Sequence, residues 1–337
     1  MRARRIVLAS RPTGLPRTEN FRLEEISVAN PEEGQVRLRV LYASADPYMR
    51  MKMNDAPSYT PAYEIGELIT GRTVCEVEES RDPRFAEGDL VAAVLGWQSR
   101  AVLDGDLLTL IDSPVADASA YLGVLGMPGF TAYAGLARLG RPVAGETLVV
   151  AAALGPVGAT VAQIATLRGL SVVAIAGGPH KTAILREEFG IATALDHRAP
   201  DFAERLAAAT PDGIDVYFEN VGGAVAAAVY PRLNLYARVP LCGMVADYNH
   251  DGEFPGPDRL PGFYRDVLVK SLDIRGFIAT EFVEEMFGQF QVDMSTLVRD
   301  GRVQHREHVI DGLENAPAAL LAILAGDNIG KAVIRIG

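Results

Sequence analysis

Residues 147–176 read TLVVAAALGPVGATVAQIATLRGLSVVAIA, and their pattern decides the fold. Residues 148–152 form a short apolar run suited to a buried parallel strand. After the turn 153–158, Ala-Leu-Gly-Pro-Val-Gly, the apolar positions Val161, Ala162, Ile164, Ala165 and Leu167 recur at the spacing of a helix lying on a sheet. Gly169 closes that helix, and 171–176 reads as a second buried strand. Strand, glycine turn, helix and strand within about thirty residues is the arrangement that holds a dinucleotide pyrophosphate. The turn must be tight, the backbone must approach the phosphates, and the helix N-terminus must aim N–H groups and a partial positive charge at the anion. Gly155 and Gly158 supply the close approach, with Val157 between them, and Ala153 stands where the fingerprint usually has its first glycine.

The chain beyond this stretch extends the pattern. A helix over 181–189 ended by Gly190, a strand at 193–196, a helix over 201–209, a strand at 214–219, a helix over 224–233 and a strand at 237–242 follow in order. A loop at 243–261, rich in Gly, Pro and Asp, precedes a strand at 271–278 and a helix over 281–300. Such alternation predicts an α/β fold, a doubly wound parallel sheet covered on both faces. Residues 1–120 read differently, as short β segments at 4–8, 21–27, 35–42, 69–77, 90–95 and 97–103 punctuated by Asn30-Pro31, Glu33-Gly34 and Glu87-Gly88-Asp89. They predict an all-β, barrel-like module, joined to the parallel sheet by a helical, alanine-rich stretch at 116–139. The closing run 330–336 is β-type and predicts a return to the first module. The expected domains are 1–122 with 302–337, and 123–301.

Composition excludes several classes. A length of 337 residues suits two domains, and a net charge of −11 with no basic cluster gives no footprint for nucleic acid or an anionic membrane. No window reaches the apolar run that a membrane span needs, and the apolar part of MRARRIVLAS is too short for a signal-peptide core. Cys75 and Cys242 are the only cysteines, which argues against a disulfide framework and for the cytoplasm. They also cannot build a four-cysteine zinc cluster. His305 and His308 are spaced to meet on one helix face, but no third ligand is apparent near them, so no metal is expected.

A dinucleotide site selects its cofactor at the end of the second strand, where an Asp or Glu accepts from the ribose hydroxyl of NAD. That place is held here by Gly177-Gly178-Pro179-His180-Lys181, without an acid. A carboxylate there repels a phosphate, whereas Lys181 pairs with one, which predicts NADPH. The bland alternative for Lys181 is an exposed lysine in the first turn of a helix, where the dipole does not favour a cation. Asn220 closes the strand at 214–219 with Gly222-Gly223 behind it, at the carboxyl edge where α/β sheets bind ligands. Its alternative is a turn asparagine.

Several segments then fall into one order: Ser44-Ala45-Asp46-Pro47-Tyr48-Met49-Arg50, Glu64-Ile65-Gly66-Glu67, Gly96-Trp97 and 126–133, Gly-Met-Pro-Gly-Phe-Thr-Ala-Tyr. The turn at 151–158, Glu219-Asn220-Val221-Gly222-Gly223, Cys242-Gly243, Tyr248-Asn249, Gly276-Phe277 and Asn328-Ile329-Gly330-Lys331 complete it. The ordered set resembles the medium-chain dehydrogenase/reductase superfamily, and within it the zinc-independent prostaglandin reductase and alkenal/enone reductase branch. The resemblance implies a GroES-like β-barrel catalytic domain beside a Rossmann domain, NADPH as cofactor, no metal, and a homodimer. It implies reduction of the carbon–carbon double bond of α,β-unsaturated ketones or aldehydes. By the same resemblance Lys181 meets the 2′-phosphate, Gly178 lacks a hydroxyl that many relatives carry, and His197 stands where the family has a tyrosine. Asn220 and Asn328 are implied cofactor contacts, and Thr131 lines the nicotinamide end.

Hydride delivery to the β-carbon of an enone places negative charge on the carbonyl oxygen, so the protein's chief task is to aim donors at that enolate. Tyrosine hydroxyls are neutral donors at pH 7. Tyr48, expected in a loop after Asp46-Pro47, and Tyr248, in the loop after Gly243, hold positions that relatives place near substrate and nicotinamide. The alternatives are an amphipathic tyrosine at a domain boundary, or a ribose hydroxyl as donor with water protonating the α-carbon. Arg50 is expected to pair with Glu64 or face solvent, and Tyr63, Trp97 and Tyr264 to wall a pocket or pack in a core. Two rival functions share the fold, an NADPH quinone reductase and a protein that binds NADPH without turnover.

Overall fold

The hairpin that opens the chain shows how the sequence folds. In a computed structural model, which describes residues 1–112, 114–250 and 257–337, β1 (Arg2–Leu8) and β2 (Phe21–Ser27) pair antiparallel over their full length. In β3 (Gln35–Ser44) the side chains of Val36, Leu38 and Val40 are buried at period two, which fixes one face of the strand to the core. Then come α1 (Tyr48–Lys52), β4 (Arg72–Ser80), β5 (Leu90–Val94), β6 (Arg100–Asp104) and β7 (Thr109–Leu110). β3 pairs with both β4 and β6, and β5 and β7 continue the antiparallel sheet outward from β4. Met49, Met53, Tyr63, Ile69 and Trp97 fill the core beneath it, and the Trp97 indole donates to the Ser44 carbonyl at 3.0 Å.

The chain then enters a second unit. α2 (Met127–Gly135) leads to β8 (Thr147–Val150), α3 (Pro156–Leu167), β9 (Ser171–Ala176), α4 (Pro179–Glu187), β10 (Thr193–Asp196) and α5 (Phe202–Ala209). β11 (Ile214–Phe218), α6 (Gly223–Val229), β12 (Leu233–Leu241), α7 (Leu260–Lys270), β13 (Asp273–Gly276) and α8 (Val283–Arg299) follow. The six strands are all parallel in the order β10-β9-β8-β11-β12-β13, so the strand order reverses between β8 and β11. Ligands bind at that switch point, outside the carboxyl ends of the strands. Val149, Val173, Ile175 and Val239 are buried in the sheet, each contributing about 1.5–3 kcal/mol.

Finally β14 (Glu307–Asp311), α9 (Ala316–Ala325) and β15 (Lys331–Arg335) complete the first sheet, β15 pairing parallel with β14 and antiparallel with the end of β3. The two compact units are Met1–Leu122 with Glu307–Gly337, and Gly123–Arg306.

The structure corrects several expectations. Tyr48 begins a short helix, not a loop, because Pro47 supplies the fixed φ at its N-cap. Arg50 neither meets Glu64 nor faces solvent: it is buried and donates to the Gly14 carbonyl at 2.8 Å and to Asn54. His308 lies on a strand, so no helix face joins it to His305. The loop expected through residue 261 gives way to α7 at Leu260, and its segment 251–256 lies outside the described residues. Tyr63 and Trp97 are core residues, whereas Tyr264 is exposed.

Candidate active site

The glycine turn after β8 is slung between two strands. The Ala151 N–H donates to the Phe218 carbonyl at 3.2 Å and the Ala153 N–H to the Ile175 carbonyl at 2.9 Å. Between them Ala152 takes a φ of 50°, a left-handed conformation that costs an L-residue roughly 1–2 kcal/mol and is characteristic of functional turns. Gly155 is the N-cap of α3, and Pro156 follows where a helix loses nothing by lacking an N–H. A methyl group on Gly158 would lie 2.8 Å from the Ala153 Cα and closer still to the Ala152 carbonyl, both backbone, so only glycine fits. On Gly155 it would lie 3.2 Å from the same carbonyl. The N–H groups of the first helical turn, Val157 and Gly158 among them, have no intrahelical acceptor and suit an anion.

At the ends of β9 and β10 the charge changes sign. Gly178 is the N-cap of α4 with a φ of 92°, open to glycine alone without strain, and its N–H donates to Asp196 Oδ1 at 2.7 Å. The same oxygen accepts from the Arg198 N–H at 2.9 Å. Burial works to raise the Asp196 pKa, but these two bonds bring it below the usual carboxylate range. A methyl on Gly177 would lie 3.0 Å from both His197 Nε2 and Arg198 Nε, so these two side chains fold back over the turn. The His197 pKa is lowered, first by partial burial of the ring, then by Arg198 and more weakly by Lys181, with Asp196 opposing. Lys181, His197 and Arg198 therefore gather beside Gly177 and Gly178. Sequence reasoning missed Arg198; the available signal was a second cation directly after His197, where the third strand ends.

Across the switch point, Asn220 Nδ2 donates to the Ala151 carbonyl at 2.9 Å and ties the end of β11 to the end of β8. Glu219 beside it is buried and accepts from the Tyr217 hydroxyl at 2.8 Å and from the N–H groups of Val221 at 2.6 Å and Gly222 at 3.0 Å. Burial raises its pKa although these bonds oppose. The loop after β12 docks there through the Ala246 N–H on the Val221 carbonyl, 2.9 Å. It places the Tyr248 hydroxyl 3.0 Å from where a methyl on Gly243 would stand, beside the Asn220 carbonyl. Burial raises the Tyr248 pKa, so the phenol keeps its proton. Thr131 sits on α2 with its hydroxyl donating to the Met127 carbonyl at 2.8 Å, engaged within its own helix. Ala153, Gly155, Val157, Gly158, Gly178, Lys181, His197, Asn220 and Tyr248 thus share one edge of the parallel sheet.

In the first unit Tyr48 heads α1. Burial and then the Asp46 carboxylate raise its pKa far above the ordinary value, with Tyr63, Arg72 and Tyr59 as further neighbours. Asn328 donates from Nδ2 to the Gly330 carbonyl at 2.8 Å, which shapes its turn, and the next N–H, of Ile329, reaches His308 Nδ1 at 3.4 Å. Among the described residues no group of three or more His, Cys, Asp or Glu comes together to hold a metal ion.

Residues 4–111 match the family model described as the N-terminal domain of oxidoreductase, and residues 156–295 match the one described as zinc-binding dehydrogenase. Over 335 residues the chain is 51% identical to the NADPH-dependent curcumin reductase of Escherichia coli (strain K12), covering 99% of this chain and 97% of that protein. It is 35% identical to prostaglandin reductase 1 of Sus scrofa over 339 residues, 99% of each. The crystal structure of CurA from Vibrio vulnificus in complex with NADPH superimposes with a TM-score of 0.95 at 45% identity, covering 99% of both chains. A parallel Rossmann sheet, a separate GroES-like β domain and these likenesses define an oxidoreductase. The chain belongs to the medium-chain dehydrogenase/reductase superfamily, in its zinc-independent prostaglandin reductase and alkenal/enone reductase branch.

Proposed function

We infer that this protein is an NADPH-dependent reductase of carbon–carbon double bonds conjugated to a ketone or aldehyde. One observation carries the choice of NADPH: Lys181, His197 and Arg198 gather at the strand ends where a site for NAD presents a carboxylate, and the carboxylate nearby, Asp196, is committed to backbone N–H groups. The names of the relatives at 51% and 35% identity support the same cofactor and reaction class. A quinone reductase has weaker support, since the solved quinone oxidoreductase is 20% identical and carries the fold alone.

The turn fits the cofactor, because the backbone at Gly158 leaves no room for a side chain between helix and phosphate. When bound, NADPH supplies the hydride that adds to the β-carbon of the substrate. The N–H groups of Val157 and Gly158 in the first turn of α3 hold the pyrophosphate, and Ala153 and Gly155, whose own N–H groups are taken by the Ile175 and Ala152 carbonyls, bring the backbone close to it. Lys181, with Gly178 and His197, holds the 2′-phosphate, and Asn220, Thr131 and Asn328 hold the nicotinamide half. Tyr248 and Tyr48, each retaining its proton, are the donors for the carbonyl oxygen as enolate charge develops. In this scheme the first compact unit, Met1–Leu122 with Glu307–Gly337, is the substrate domain and the second, Gly123–Arg306, where the expected boundary was 301, is the cofactor domain.

A homodimer belongs to the same proposal. α7 has no buried residue, and Leu260, Tyr264 and Leu268, spaced four apart on one side of it, are exposed as a second copy would require. No helix among the described residues is long and apolar enough to cross a membrane, and Cys75 and Cys242 are free thiols, in keeping with the proposed cytoplasmic location. The test is oxidation of NADPH, followed at its absorbance, with a linear enone, an alkenal, a bulky oxo-lipid and a quinone, each repeated with NADH. Turnover of enones with NADPH is expected; turnover of the quinone alone, or binding of NADPH without any turnover, contradicts the assignment.

A further inference from the structure

Lys331 opens β15 and is 2% exposed. Its ammonium has three N–H donors, and three acceptors in one short stretch meet it: Ser44 Oγ at 2.6 Å, the Ala45 carbonyl at 2.7 Å and Asp46 Oδ1 at 2.7 Å. The Ser44 hydroxyl in turn donates to Asp46 Oδ2, and the Ser44 carbonyl accepts from the Trp97 indole. Ser44 ends β3, Asp46 lies just beyond it, Pro47 caps α1, and Tyr48 is the first residue of that helix. On the other side of the ammonium, Lys331 directly follows Gly330, whose carbonyl accepts from Asn328.

With all three protons committed and its surface closed, Lys331 cannot serve as an acid, a base or a ligand for substrate. A strand-to-strand contact alone does not need this arrangement. An apolar pair of similar volume closes such a space at least as stably, because each buried charge carries a desolvation cost that the ion pair must offset. What the ion pair adds is direction. Three acceptors at 2.6–2.7 Å admit one placement of residues 44–46, and the rigid ring of Pro47 transmits that placement to Tyr48.

We propose that Lys331 is a positioning residue, which through Ser44, Ala45 and Asp46 fixes the turn that carries Tyr48 and so sets where the Tyr48 hydroxyl points. The inference rests on Tyr48 acting as an enolate donor for its effect on turnover, while its geometric content stands apart from that role.

The test combines kinetics with a spectroscopic probe. Lys331→Met is expected to lower kcat about 10-fold, since displacements of an ångström cost one to two orders of magnitude, whereas in a Tyr48→Phe background the same substitution costs less than about 2-fold. Asp46→Asn, nearly isosteric and gentler on folding, follows the same pattern with a smaller loss. Separately, 3-fluorotyrosine in place of Tyr48 is expected to give one sharp fluorine resonance, which broadens or splits in Lys331→Met and Asp46→Asn. An unchanged resonance in both variants, or equal losses of kcat with and without Tyr48, overturns the proposal. A harmless Tyr48→Phe combined with a broadened resonance removes Tyr48 as a donor but upholds Lys331 as the group that places it.

Discussion

Asp196 gives one carboxylate oxygen to two backbone N–H groups, that of Gly178 at 2.7 Å and that of Arg198 at 2.9 Å. These two bonds shape the adenosine end of the proposed site twice over. They hold Gly178 in its left-handed conformation, and they engage the one acid that sits where a ribose hydroxyl of NAD would look for an acceptor. In the proposed site the cations around it meet the 2′-phosphate. Lys181→Ala and Arg198→Ala are each expected to raise KM for NADPH about 10- to 100-fold while changing KM for NADH less than about 2-fold. Steady-state kinetics with both cofactors checks this, and equal effects on the two would remove these residues from phosphate recognition.

As a proposed phosphate contact, His197 is expected to make cofactor binding depend on pH. In the free protein its pKa lies below the ordinary value of about 6.5, so the ring is neutral at pH 7. A phosphate beside it favours the charged form and raises that pKa. Binding then takes up a proton, and affinity for NADPH strengthens as pH falls through the raised value, levelling off below the free-state one. Fluorescence titrations between about pH 8 and about pH 5.5 should show NADPH affinity gaining more toward low pH in the wild type than in His197→Asn, where the titration of the phosphate itself, at about pH 6, is the remaining contribution, and no slope for NADH.

Gly158→Ala tests the cradle itself. The added methyl meets three backbone atoms of the preceding turn, which cannot move aside as a flexible side chain would. The expected cost is about 1–3 kcal/mol of stability, read as a lowered Tm, together with loss of NADPH binding by calorimetry. Gly155→Ala, whose methyl meets only the Ala152 carbonyl at 3.2 Å, should be the milder of the two.

Tyr48 and Tyr248 both have raised phenol pKa values, so neither ionises below its ordinary value of about 10. A pH profile of kcat should show no basic limb from either hydroxyl up to that pH. Tyr248→Phe should lower kcat about 100-fold, the usual loss for one oxyanion donor, with KM for NADPH little changed.

Much of this was legible before the structure, for physical reasons that can be named. The turn at 151–158 is local: period, glycines and flanking strands all lie within one stretch. Other elements carried no such signal. α1 spans five residues, too few to display a period, and the sequence of α9, APAALLAILA, is apolar almost all round. Pro261 reads as a loop marker but stands in the first turn of α7, where proline is favoured. Arg198 offered only its place directly after His197, and the positioning part of Lys331 had no signal at all, because the significance of both lies in partners brought by the fold. Lys331 meets Ser44 across 287 positions of sequence, and no local pattern announces that.

Transfer of hydride from NADPH to the β-carbon of an enone is open to an isotope experiment. NADPH carrying deuterium at the transferable position of nicotinamide C4 would be turned over with a linear enone and the product analysed by NMR. The expected product is a saturated ketone with deuterium on its β-carbon. Deuterium on the carbonyl carbon of an allylic alcohol would contradict transfer to the β-carbon.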